Sequence, residues 1–299
     1  MKKVLVTGAS GFIGTHLINK LQNENCCVES MGRTVVESLK NYLIKDYTNL
    51  NEIRKIIAKS EPDYIFHLAG SVSLDLYSSL KLNTIFGHNI LNSLSLLGFE
   101  HKTKVLFVGS AAEYGIVAES DMPVTELTKT NPFSNNGISK LASTQDALSW
   151  CNNKKNITIV RPFTVIGEGL PNYLAVGNFI KQISKGYDGM TLKTGNLNTS
   201  RDFVDVSDVV EIFWKLINNK NAYGQVFNIC SGQPIMISEI LQYISKKVNI
   251  NLNFEISEDL VRERDMPVHF GSNNKLLQVI GPFEFIPWKD SIDKILSNL

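Results

Sequence analysis

Val4-Leu5-Val6-Thr7-Gly8-Ala9-Ser10-Gly11-Phe12-Ile13-Gly14 opens the chain after Met1-Lys2-Lys3. A short β-branched run meets three glycines spaced three apart, and Ile13, Leu17, Ile18 and Leu21 then recur at helical spacing. The pattern predicts a strand, a tight turn and the start of a helix. Gly8 permits the turn, Gly11 lets backbone approach a phosphate with no side chain between, and Gly14 lets helix and strand pack closely. The helix N-terminus offers unpaired N–H donors and a partial positive charge to an anion. In this context the glycines read as a cradle for the diphosphate of a pyridine dinucleotide.

Outward from this turn, β-branched runs alternate with amphipathic segments. Strands are expected over 27–31, 42–45, 64–68, 105–108 and 157–160, and helices over 13–22, 50–60, 83–97 and 137–150. Alternation of this kind predicts an α/β fold, a doubly wound parallel sheet with crossover helices. Beyond Pro162 glycine and asparagine become frequent and strands shorten. Residues 1–164 are expected to form the dinucleotide-binding domain and residues 165–299 a smaller cap. The cap is expected to hold helices near 178–186, 206–218 and 237–247. A strand over 226–229 is expected to return to the main sheet.

With 43% hydrophobic residues in 299, the chain can bury a sizeable core without staples. A formal net charge of +1 gives no reason to expect nucleic acid or a membrane surface as partner. Cys26, Cys27, Cys151 and Cys230 lack metal-ligand spacing, so no metal is expected and free thiols are. The apolar run at the start is too short for a signal peptide, and no stretch approaches a membrane span. These features point to the cytoplasm.

Thr7-Gly8-Ala9-Ser10-Gly11-Phe12-Ile13-Gly14 is a full match to the TGxxGFIG segment of the extended short-chain dehydrogenase/reductase family, which the chain resembles nearly end to end. The resemblance implies a Rossmann fold and puts Gly8, Ser10, Gly11, Phe12, Ile13 and Gly14 at the cofactor. Asp46 resembles the family's acidic residue that contacts the adenine amino group. Leu68-Ala69-Gly70 resembles its small-residue turn lining the cofactor. Where NAD-preferring members carry an aspartate after the second strand, this chain has Gly32. Arg33 next to it can pair with a 2′-phosphate, and Ser30 and Thr34 can donate to it, so NADP(H) is expected ahead of NAD(H). The other reading is that Arg33 merely stacks on adenine.

The family's catalytic groups are a Ser or Thr, a Tyr, and a Lys four residues after the Tyr on one helix face. Gly109-Ser110-Ala111-Ala112-Glu113-Tyr114-Gly115 resembles the first segment, which gives Ser110 the hydroxyl role. Asn136-Gly137-Ile138-Ser139-Lys140 resembles Tyr-Gly-x-Ser-Lys. Lys140 matches, but the tyrosine position holds Asn136, and an amide is no proton donor at relevant pH. Three readings compete: an engineered inactivation, a natural departure with another proton source, or a relative that only binds. Ala111 and Ala112 stand where the 4,6-dehydratases carry their acid, which removes elimination chemistry. Glu113, on an alternating strand end, is expected to point away, and Tyr114 is expected to belong to the loop's packing.

Arg161-Pro162-Phe163 resembles the family's sixth-strand end and puts Phe163 at the cofactor. Arg201-Asp202-Phe203-Val204-Asp205-Val206 and Arg262-Glu263-Arg264-Asp265 resemble its RDFxxV and RxxD segments. There Arg201 and Arg262 would clamp a nucleotide-sugar diphosphate beside Ser110 and Ala111. Thr164 departs from the usual Asn. The loops look most like those of GDP-4-keto-6-deoxy-mannose reductases and related 4-ketohexulose reductases. The resemblance thus implies an NADPH-dependent C4 ketoreductase acting on a nucleoside-diphosphate sugar, feeding surface polysaccharide, and a homodimer built through the helices around 83–97 and 137–150. A 4-epimerase and a non-catalytic dinucleotide-binding protein are the alternatives.

Overall fold

The structure, a computed structural model, describes residues 1–71, 75–151, 156–184, 186–261 and 264–297. Its first half runs β1 (Lys3–Thr7), α1 (Phe12–Asn23), β2 (Cys27–Gly32), β3 (Lys40–Leu43), α2 (Leu50–Ser60), β4 (Tyr64–His67), α3 (Leu76–Leu80), α4 (Phe86–Leu96), β5 (Lys104–Val108), α5 (Asn135–Trp150) and β6 (Ile157–Pro162). Then follow β7 (Thr164–Ile166), α6 (Ala175–Ile183), β8 (Thr191–Thr194), β9 (Ser200–Asp205), α7 (Val206–Ile217), β10 (Val226–Ile229), β11 (Pro234–Met236), α8 (Ile237–Val248), β12 (Asn253–Ile256), β13 (Val268–His269), α9 (Asn274–Ile280) and α10 (Trp288–Leu296).

Seven strands form one sheet in the order β10-β6-β5-β4-β1-β2-β3, with every pairing parallel. β1 sits inside it, and Val4, Leu5 and Val6 are fully buried. Strand alternation divides them: Val4 and Val6 join Leu17, Ile18 and Leu21 of α1 on one face, while Leu5 joins Ile53 and Ile57 of α2 on the other. Both faces are covered, which is why β1 reads as continuous apolar sequence. Winding proceeds outward in opposite directions from β1, so the crevice between the carboxyl ends of β1 and β4 is the topological switch point where ligands of such sheets bind.

Several elements differ from their sequence-based bounds. The helix expected to start at 83 begins at Leu76, because the Asp75 carboxylate accepts from Ser78 N at 2.7 Å and caps it. A π-helical turn (Lys81–Ile85) joins α3 to α4. The helix expected over 178–186 is Ala175–Ile183. The expected cap helix at 206–218 is α7, and its Val209, Val210, Phe213 and Leu216 share the core of β1 and α1. An apolar helix buries itself against the largest apolar surface within reach, and here that is the main sheet. A second core gathers Ile166, Phe179, Ile183, Leu192, Ile240 and Ile292 from β7, α6, β8, α8 and α10. No helix among the described residues is long and apolar enough to cross a membrane.

Candidate functional site

Gly8 adopts a φ of +70°, and a Cβ there would lie 2.8 Å from the amide nitrogen of Ala69. Gly11 N donates to Gly8 O at 3.0 Å and closes the turn. Gly11 is also the N-cap of α1, and among the described residues no side chain caps its first turn. The donors needed for an anion are thus unfilled and the steric space is clear, so the turn fits the diphosphate of a dinucleotide. Gly8, Ser10, Gly11, Ala69 and Gly70 line a cavity over the strand ends. Phe12, Ile13 and Gly14 follow in the first turn of α1, outside the lining: Phe12 packs edge-on to His16, and Ile13 and Leu68 lie against the core.

The far end of this cavity is formed by Ser30, Gly32, Arg33, Thr34 and Tyr47. The Arg33 guanidinium lies 5.5 Å from the centre of the Tyr47 ring. Asp46 is not among the lining residues; its side chain is exposed and accepts from Thr48 N at 2.9 Å and Thr48 Oγ1 at 2.8 Å. Tyr47, one residue on, occupies the wall instead.

Ser110 follows β5 and starts a tight helical turn. Its N–H donates to Glu113 Oε1 at 2.9 Å, while its Oγ accepts from Ala112 N at 3.1 Å and keeps its own proton for another acceptor. Glu113 is fully buried and turned away from the cavity. It accepts from Thr144 Oγ1 at 3.0 Å and Arg161 Nε at 2.7 Å. The expectation that Glu113 points away holds, though the cause is this buried pair and not strand alternation. Tyr114 is fully buried outside the cavity lining and donates to Asn228 Oδ1 at 2.6 Å, and burial pushes its phenol up to about 12.

A Cβ on Gly137 would lie 2.5 Å from the carbonyl oxygen of Ala112. The first turn of α5 therefore sits directly on the Ser110 turn, and Ser110, Ala111, Ala112 and Asn136 line one cavity. Lys140 follows one helical turn later. It is 7% exposed and donates to Val108 O at 2.6 Å. A Cβ on Gly70 would meet its Nζ at 2.8 Å, so Lys140 stands behind the cofactor cavity wall. Burial pushes its ammonium down to about 8, with the Glu113 carboxylate opposing the shift. Asn83, on the π-helical turn, accepts from Ser71 N at 3.0 Å and donates to Ser139 Oγ at 2.8 Å. Sequence reading passed over Asn83. Its signal is a polar residue inside an apolar helical run.

The same cavity takes Phe163, Thr164, Arg201, Arg264 and His269 from the second half of the chain. Arg201 donates to Ser200 O and Met266 O, each at 2.8 Å, and pairs with Asp265. Arg262 lies outside the described residues. Arg264, two positions on and unremarked in the sequence, is in the lining. Phe163 lines this cavity and not the one over the glycine turn, and it stacks on His269 with ring centres 5.1 Å apart. Burial, then the charge of Arg201, pushes the His269 imidazole down to about 4, so it is neutral at pH 7. Thr164, Arg201 and Asp265 continue into a third, largely apolar cavity bounded by Leu174 and Phe179. The Ser110 cavity and the apolar recess thus share Thr164, Arg201 and Asp265, while Lys140, one turn after Asn136, reaches the back of Gly70 in the glycine-turn cavity.

The family model for the NAD dependent epimerase/dehydratase family matches residues 4–230. A GDP-6-deoxy-D-talose 4-dehydrogenase of Aggregatibacter actinomycetemcomitans is 32% identical, over 99% of this chain and 97% of that one. A GDP-6-deoxy-D-mannose reductase of Pseudomonas aeruginosa is 28% identical over the same shares. The solved structure of RMD from Pseudomonas aeruginosa complexed with NADPH superposes with a TM-score of 0.84 at 26% identity, covering 100% of this chain and 98% of that one. A family match running from β1 past the end of β10, joined to a relative 32% identical over nearly the whole length, shows that this chain belongs to the NAD dependent epimerase/dehydratase family.

Proposed function

We propose that this protein uses NADPH to reduce the C4 keto group of a nucleoside-diphosphate 4-keto-6-deoxyhexose, in deoxysugar synthesis for a surface polysaccharide, and that Asn136 impairs it. One observation carries the reading: Ser110, position 136 and Arg201 line a single cavity that adjoins the glycine turn through Lys140 and Gly70. Relatives that act on GDP-linked 6-deoxyhexoses support the substrate class. When bound in the glycine-turn cavity, the dinucleotide would supply the hydride. Ser110 Oγ, with its proton unassigned inside the turn, donates to the ketone oxygen. Lys140 holds the nicotinamide ribose. Arg201 holds the diphosphate, and Arg262 is proposed beside it. The proton that completes the alcohol comes in the family from the tyrosine position, and an asparagine amide does not release one. Elimination is disfavoured, because Ala111 and Ala112 bring no acid and Glu113 is turned into the Arg161 pair.

Asn136 also favours a second reading, a relative that binds cofactor without turnover. A 4-epimerase would use the same groups and leave the total NADPH unchanged. The reading also includes a substrate cap over 165–299, from which α7 and β10 return to the main sheet, a cytoplasmic setting, and a homodimer through α4 and α5.

The deciding experiment compares NADPH consumption by this chain and by Asn136→Tyr with a nucleoside-diphosphate 4-keto-6-deoxyhexose. Restoring a general acid is expected to raise turnover by about 10²–10⁴-fold. Equal turnover overturns the impairment. Cofactor binding with no turnover in either protein establishes the binding-only reading, and C4 inversion without net NADPH loss establishes the epimerase.

A further inference from the structure

Asn41 stands on β3 directly opposite Ser30 of β2. Its Oδ1 accepts from Ser30 Oγ at 2.5 Å and from Val36 N at 2.8 Å. Its Nδ2 donates to Val36 O at 2.9 Å and Leu39 O at 2.6 Å. A carboxamide has two donor hydrogens and two lone-pair sites, so this one is saturated. The Val36 N–H fixes which end is oxygen, and the two carbonyls fix which end is nitrogen. The Ser30 hydroxyl then has a single choice: it gives its proton to Asn41. What is left on Ser30 Oγ is acceptor capacity alone. Ser30 is 3% exposed and lines the far end of the cofactor cavity with Gly32, Arg33 and Thr34.

We infer that Asn41 tunes how this cavity discriminates between the two 2′ groups of the adenosine ribose, by pinning the β2–β3 loop and by turning the Ser30 hydroxyl into an acceptor. The sequence assigned Ser30 as a donor to a 2′-phosphate, and the Asn41 bond reverses that role. A ribose 2′-hydroxyl has a proton to give and suits Ser30. A 2′-phosphate has no proton for Ser30 near neutral pH and must take its bonds from Arg33 and Thr34. Both lie in the loop that Asn41 holds through Val36 and Leu39, whose side chains pack on the sheet core. One pocket end thereby carries two separate recognition devices, an acceptor for NAD(H) and a cation with a hydroxyl for NADP(H). The inference rests on the reading that the glycine-turn cavity holds a pyridine dinucleotide.

The test measures dissociation constants of NAD+ and NADP+ by calorimetry for the full chain and for Ser30→Ala, Arg33→Ala and the double change Ser30→Ala with Asn41→Ala. Ser30→Ala is expected to weaken NAD+ by about 3–10-fold, the value of one neutral hydrogen bond, with NADP+ changed by less than about twofold. Arg33→Ala is expected to weaken NADP+ by about tenfold or more, the value of a charge-assisted bond, and to spare NAD+. Asn41→Ala added to Ser30→Ala, a background in which no Ser30 proton is freed toward the 2′-phosphate, is expected to raise the ratio of the NADP+ constant to the NAD+ constant by about tenfold, because the loop carrying Arg33 and Thr34 is released. A purely structural Asn41 would lower the melting temperature and leave that ratio alone. An unchanged ratio when Asn41→Ala is added to Ser30→Ala, or NADP+ weakened at least as much as NAD+ in Ser30→Ala, overturns the inference. If the unaltered chain binds neither dinucleotide, the cofactor reading fails and the inference with it. If it binds both and only the variant pattern fails, the inference alone is wrong.

Discussion

A methyl group on Gly14 would meet the carbonyl oxygen of Gly8 at 2.2 Å and that of Ala9 at 2.8 Å. Neither oxygen belongs to a flexible side chain, so the clash must move backbone. Gly14→Ala is expected to lower stability by about 1–3 kcal/mol, as overpacking does, read as a lower denaturant midpoint at unchanged slope. Lys140 makes a prediction of opposite kind. Its folded value of about 8 lies below the ordinary lysine value of 10.5. Between these values the unfolded chain binds the proton more readily than the folded one. The buried charge therefore penalises folding below pH 8, and the penalty fades as pH rises from 8 toward 10.5. Stability of the parent chain relative to Lys140→Met should rise across that window, and a flat difference in urea midpoints would contradict it. Gly14 and Lys140 were both legible in the sequence because each sits in a fixed local spacing. The Asn41 partner of Ser30 and the place of Arg264 in the cavity lining were not legible, because they depend on residues brought from β3 and from the second half of the chain.

At the scale of elements, α7 shows how local reading and tertiary packing divide the work. Its start is written locally: the Asp205 side chain accepts from Ser207 N at 2.7 Å. Its destination is not. Asp208, on the same turn, accepts from Ile286 N at 2.8 Å, and Asp205 accepts from Ser291 Oγ at 2.6 Å, so α7 anchors the C-terminal segment. Burial pushes the Asp208 carboxyl up to about 6, with the nearby Asp205 adding to the shift. Asp202, buried under four donors from the 231–232 and 271 backbone and the Ser231 hydroxyl, is also pushed up to about 6 by burial. Both folded values exceed the ordinary 3.8, so the native state holds more protons between about pH 4 and 6. These groups make stability fall as pH rises through that window, with the penalty complete above it. Asp208→Asn keeps the acceptor for Ile286 and removes the charge. Its melting temperature should fall less than the parent's between pH 4.5 and 6.5, and parallel curves would exclude this origin.

For the whole molecule, Tyr77 on α3, Ile85 on the π-helical turn and Leu96 on α4 leave large apolar side chains exposed along one continuous helix. The proposed homodimer would cover this helix together with α5. Sedimentation is expected to show a dimer, and Ile85→Arg to shift it toward monomer. A monomer at all concentrations for the parent chain would remove the dimer from the proposal. Saturating dinucleotide offers a separate check on the glycine turn. At one hundred times its dissociation constant it should raise stability by about 2.7 kcal/mol, and Gly14→Ala should lose that gain.

Local spacing encodes the strand, glycine turn and helix of residues 4–14, the alternation behind the parallel sheet, and the four-residue offset that puts position 136 and Lys140 on one helix face. These are patterns of period two or of three to four residues, and such patterns are set by backbone geometry within one element. Packing of segments distant along the chain sets the rest: α7 lies on α1, Tyr47 lines the cofactor cavity where Asp46 does not, Arg264 and His269 reach the cavity of Ser110, and Ser30 gives its proton to Asn41. Each of these depends on burial or on a hydrogen-bond partner distant in sequence or across the sheet. No local spacing encodes which of several possible partners is satisfied once the chain is packed.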